Sequence, residues 1–228
     1  MFPRGELGGE RGGLVRFPSF FAEAPRLKLR DPLAAFLGAS EDGILDYGYE
    51  DVVRLAGHSC PAVAGAYLML INALAYLYDE ALPERGGIAV AMAGERVQGT
   101  TGVLASIATL LTGAGAETGF HGIGPARRFA RRGLLRFGAD IGGVMALRRL
   151  DTGAGVVVDI DTSAVPHAPD MAAVMPRAVA GEADEAGLAR FALLWQDRVR
   201  RMLVEHADDP KLIHLYGWEA EDVAPLMA

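Results

Sequence analysis

The chain has 228 residues, about half of them hydrophobic, with a net charge of −7 and one cysteine. That length and apolar content suit one ordinary domain with a sizeable core. A single cysteine excludes an internal disulfide framework, and the acidic balance argues against a nucleic-acid binder, which must neutralise phosphates with Lys and Arg.

Residues 1–30 form an N-terminal arm by composition: "GELGGERGG" is glycine-rich, and "FPSFFAEAPRL" gathers aromatic residues and prolines that need a surface to pack on. Glycines and charges stand where a secretory signal would have its apolar core, so a cytoplasmic protein is expected. The main domain follows over 31–165, with 166–228 as its helical C-terminal extension. "DPLAAFLGA" (31–39) predicts a short helix with Asp31 as N-cap and Pro32 at the first helical position. "ILDYGYEDVVRLAGH" (44–58) predicts a second helix ending at Gly57. The third, over about 60–82, starts with Cys60 at the N-cap and Pro61 in the first turn. Val63, Tyr67, Leu70, Ile71, Leu74, Leu77 and Tyr78 recur in it at helical spacing. The run approaches the length of a bilayer span, but it contains Asn72 and lacks basic anchors, so a buried central helix is expected rather than a membrane segment.

"GGIAVAMAG" (86–94) predicts a strand, and residues 99–119 a helix between glycine-rich turns. Two strands, 139–150 and 154–161, flank the hairpin turn "DTGAG". Helices are expected over 168–180 and 184–207, the latter with Leu188, Phe191, Trp195, Val199, Met202 and Leu203 inward, and a last helical turn in the tail. The order predicts an α+β fold, a mixed or antiparallel sheet packed against the central helix.

"AGHSC" (56–60) is the chemical focus. A thiol at a helix start meets unpaired N–H groups and the positive end of the helix dipole, which favour its thiolate. Thiolate and neutral imidazole are ligands for Zn²⁺ and similar ions, and Gly57 lets the chain turn so that both can face one point. A small buried apolar cysteine beside a capping or core histidine explains the same residues, and a metal-free thiol enzyme would also use Cys60. The Gly-Thr-Thr-Gly start of the 99–119 helix has no Gly-Lys-Ser/Thr and is not a Walker loop. "PARRFARRGLLRF" (125–137) carries five arginines, either a solvated loop or a docking place for an anion.

"GHSCPAVAGAYLMLINAL" (57–74) resembles the Gly-His-x-Cys-Pro signature of the FmdE family, named for a component of formylmethanofuran dehydrogenase, with Ala66 interposed between Gly65 and Tyr67. "LTGAGAETGFHGIG" (111–124) and the stretch 128–160 resemble the family's second block of glycine turns and closing hairpin. The resemblance implies an α+β homodimer with a metal site, commonly zinc or a similar divalent transition metal, in which His58 and Cys60 are ligands. His121, on its glycine loop, is the candidate third ligand, with His167 and Glu95 behind it. A small anionic ligand near the metal is expected from the arginine loop. The family's further Cys and Asp have no counterpart in "GVLASIATLLTG" (102–113). An accessory protein without catalysis is the alternative reading.

Overall fold

A computed structural model describes residues 16–218. The glycine-rich stretch 5–13 and the end of the tail lie outside the described residues. The fold is α+β, as expected, and its centre is helix α3, Pro61–Tyr78. Cys60 caps it and Pro61 opens it, where a missing N–H costs nothing. Val63, Ala64, Tyr67, Leu68, Leu70 and Leu74 are fully buried, so the apolar run is a core helix. Asn72 is tolerated there because its amide donates to Leu68 O and Ala207 O, both at 2.9 Å.

The main sheet has five strands in the order β4-β3-β5-β6-β7: β3 (Ile88–Met92), β4 (Leu135–Arg136), β5 (Met145–Arg149), β6 (Gly155–Ile160) and β7 (Ile213–Trp218). It is mixed, since β4 runs parallel to β3 and every other pairing is antiparallel. Helix α3 packs on β6 and β7, and α4 (Thr101–Thr112) packs on α3 and β3. The 99–119 helix stops at Thr112 because Gly113 takes φ +76° at its C-cap, leaving the next residues as loop.

Helix α1 (Pro32–Phe36) is capped by Asp31, whose carboxylate accepts from Leu33 N and Ala34 N. The helix expected over 44–58 is instead a strand, β2 (Ile44–Tyr47), followed by helix α2 (Tyr49–Ala56). Gly48, extended at φ −105°, separates them, and β2 pairs antiparallel with β1 (Leu27–Arg30). Part of the arm is therefore structured: a 3-10 turn spans Ser19–Glu23, with Phe20 and Phe21 buried, and leads into β1. At the C-terminal side, α5 (Met171–Val179) and α6 (Glu185–Arg200, extended by a π turn over Arg201–Glu205) form a hairpin. Leu188, expected inward, is exposed, because the first turns of α6 pack on α5 rather than on the core. The described part of the tail is β7, a six-residue partner for β6, and the remainder, where a helical turn was expected, lies outside the described residues.

Candidate functional site

The turn between α2 and α3 is built by Gly57 at φ +75°, a left-handed C-cap whose N–H donates to Val53 O at 2.8 Å. A side chain there would be strained, so the glycine is what lets the chain reverse into Cys60. His58 is exposed, and its Nδ1 lies 2.9 Å from Ala56 O. A carbonyl only accepts, so Nδ1 carries the proton of the neutral ring and Nε2 keeps its lone pair. Nothing among the described residues takes that lone pair. Cys60 is half-buried against the core, and its Sγ accepts from Val63 N at 3.5 Å, the capping contact of α3.

Ser59, between them, is clamped from two sides. Its hydroxyl donates to Gln196 Oε1 at 3.0 Å, and its carbonyl accepts from Trp195 Nε1 at 3.2 Å and Gln196 Nε2 at 3.1 Å. With the serine proton spent on Gln196, the Tyr49 hydroxyl at 3.0 Å is the donor to Ser59 Oγ. Burial pushes the Tyr49 phenol above its ordinary value, which keeps that proton in place. In the sequence Trp195 reads only as a core-facing residue, and no motif assigns Ser59 or Gln196 a role. An indole N–H and a carboxamide side by side on a helix carried a signal, since both need partners when covered.

Beside this turn opens a cleft of about 650 Å³. Pro61, Ala62, Gly65 and Met69 of α3 form one wall, and Met92, Ala93 and Gly94 at the end of β3 another. Gln98, Thr100, Thr101 and Leu104 bring the start of α4, while Asp159 and Ile160 close the cleft from β6 and Thr162 from the 3-10 turn after it. The positive ends of two helix dipoles thus face one mostly apolar cavity. Asp159 is half-buried and its carboxylate has no hydrogen-bond partner among the described residues. A carboxylate at the end of the buried run "VVVDI" was the sequence signal for it.

His121 is brought elsewhere. Its loop folds back on the basic segment, where Phe120 O accepts from Arg131 N and His121 Nδ1 lies 3.3 Å from Arg132 Nη1. Gly115 N donates to Arg131 O, which fixes this segment just beyond the last turn of α4. The twelve residues of α4 span about 18 Å. The cleft lies at its first turn, so Arg131 and the Phe120–His121 backbone bonded to it sit toward the opposite end of α4, whereas the arginine stretch ends beside the cleft wall, where Gly138 N donates to Gly94 O. His167 Nε2 is 2.6 Å from Arg198 Nη1, and Glu95 is exposed. Among the described residues no three or more His, Cys, Asp or Glu side chains come together in a way that could hold a metal ion.

No protein-family model and no curated protein matches this chain. The family expectation therefore stands on the motif residues and on the local chemistry of the turn. Of the expected ligands, His58 and Cys60 share the turn before α3 and His121 does not join them. Two donors of the right kind fit a borderline ion, but a catalytic zinc site takes three from the protein.

Proposed function

We propose that this protein binds a small, largely apolar molecule in the cleft between the starts of α3 and α4. The observation that carries the reading is the cleft's position: a cavity of about 650 Å³ begins at Pro61 and Ala62, the residues directly after Cys60. Its size suits one small ligand, and few polar groups converge in it. Asp159 would accept from a hydroxyl or amino group of that ligand, and the two helix starts favour a polar or anionic end. The neutral dye Nile red is a suitable probe. Wild-type protein should bind it saturably, with affinity at least about tenfold weaker in Ala62→Phe, where an aromatic ring enters the cleft. Absence of saturable binding, or equal affinity in the variant, would refute the reading.

A second reading, favoured by the free Nε2 of His58, adds a divalent transition ion such as zinc at the edge of the cleft, in line with the FmdE-like signature. A ligating histidine commonly donates its other N–H to a carbonyl, and Ala56 O is that acceptor here. Bound there, the ion would supply Lewis-acid chemistry. With only two donors in this turn, a second copy of the chain or the ligand would complete the set. Elemental analysis is expected to find metal in the wild type and none in His58→Ala or Cys60→Ala. If a second copy supplies the missing donor, light scattering on loaded protein gives twice the 24.1 kDa of one chain. Metal-free wild type, or full loading of either variant, would sink the ion.

A further inference from the structure

At the far end of α4 lies a second cavity of about 350 Å³, bordered by Pro32, Glu84, Arg85, Gly86, Arg127 and Phe129, with Ala130 and Arg131. We propose that it is a binding site for a phosphate-like oxyanion, independent of the cleft at Cys60. The central observation is Arg131. It is only 6% exposed, and its Nη2 donates to Asp31 Oδ1 at 2.6 Å. Its Nε and Nη1 are buried with no hydrogen-bond partner among the described residues. Those two nitrogens carry three N–H donors on one rigid fork. Buried charged donors left unpaired are costly, and a planar guanidinium matches the oxygens of phosphate in pairs.

Asp31 cannot satisfy the fork. One of its oxygens already serves Arg131, Leu33 N and Ala34 N, and the other accepts from Arg85 Nη1 at 2.9 Å. Two glycines let the guanidinium pack closely on the backbone. A Cβ on Gly86, which is at φ +91°, would lie 3.2 Å from Arg131 Nε, and one on Gly113 would collide with Nη1. Arg127 stands exposed at the rim, its side chain without a partner among the described residues. The backbone that presents it is strained: Arg127 at φ +48° and Phe129 at φ +62° are both left-handed and neither is glycine. Such strain persists only where surrounding structure enforces it, and it collects at binding sites. Phe129 is held by Phe36 at 5.2 Å between centroids, and the Arg128 guanidinium lies over both rings. Three arginines face the exposed Glu84 and the bridging Asp31, leaving one net positive charge here in a chain of net charge −7.

The test is calorimetric titration of inorganic phosphate into the full chain at ionic strength held constant with sodium chloride. Wild type should bind saturably below about 10 mM. Arg127→Ala, an exposed change that leaves the Asp31 pairs intact, should weaken binding about tenfold or more. Arg131→Lys keeps the charge but loses the fork and should abolish binding, with circular dichroism verifying its fold. Acetate at matched ionic strength should bind more weakly than phosphate. No saturable uptake by wild type, unchanged affinity in Arg127→Ala, or acetate equal to phosphate would each overturn the site.

Discussion

Asp31→Asn is expected to lower the unfolding free energy by about 3–5 kcal/mol, the usual result of removing one partner from a buried ionic cluster. Asp31 is 3% exposed and holds Arg85 and Arg131, the latter 100 residues away in sequence. Asparagine still caps a helix, so α1 keeps its start and the loss reports the charge. The change leaves Arg131 buried without a counter-ion and weakens its tie to the start of α1, while Phe36 still packs on Phe129. Acid titration should reveal the same group. Burial pushes the Asp31 carboxyl up, but the hydrogen bonds from Arg131, Arg85 and Ala34 N outweigh it and hold it below the ordinary carboxylate range. A depressed folded-state pKa contributes stability that is complete above the unfolded value near 3.9 and is lost as pH falls from there through the folded one. Urea unfolding at pH 7 and along that acid limb measures both effects. Wild-type stability in the variant at pH 7, or an unchanged limb below pH 4, would contradict the account.

Much of this core could be read directly in the residues. The spacing from Val63 to Tyr78, the Cys60–Pro61 start and the Asp31–Pro32 start are local signals, and local backbone chemistry decided them. The hairpin around Gly153 was legible for the same reason. What escaped depends on distant partners. Ile44–Tyr47 is four residues long and continuous in hydrophobicity with α2, and only pairing with Leu27–Arg30 makes it a strand. Ile213–Trp218 is a strand because β6, more than fifty residues earlier, offers it an edge. The site divides in the same way. The His58–Cys60 spacing stands in the sequence, whereas the clamp on Ser59 comes from α6, 136 and 137 residues on. Loop 113–134 carries His121 and Arg131 beyond the end of α4, a path that no periodicity encodes.

Arg198→Met should cost about 1–3 kcal/mol, because it strands the buried Val165 carbonyl, whereas Thr162 O keeps its bond from Val165 N. Arg198 is 9% exposed and has no carboxylate partner among the described residues. It donates instead to Val165 O at 2.7 Å, Thr162 O at 2.8 Å and His167 Nε2 at 2.6 Å. Those bonds tie α6 to the segment after β6, and Thr162 borders the cleft, so the variant should also weaken Nile red binding there. The imidazole must offer its Nε2 lone pair to Arg198, which leaves the proton on Nδ1, buried and without a partner among the described residues. Burial, and then the charges of Arg198 and Arg201, hold His167 below its ordinary pKa. The sign follows: a histidine depressed in the folded state contributes fully above the unfolded value near 6.5, and the contribution fades as pH falls through the folded one. Wild type should therefore lose stability in two stages on acidification, first from about pH 6.5 downward and then below about pH 4, as the pH falls past the unfolded carboxylate value toward the depressed one of folded Asp31. His167→Gln supplies an oxygen that accepts from Arg198 and does not titrate, so it should flatten the upper stage and leave the lower one intact. The ring of His167 also packs on Trp195, with centroids 5.9 Å apart, and Trp195 holds Ser59. Protonation of His167 thus strains the same face of α6 that positions the His58–Cys60 turn, and Nile red affinity should fall together with stability in the upper stage. A single acid limb in wild type, or an upper stage that survives in His167→Gln, would rule this linkage out.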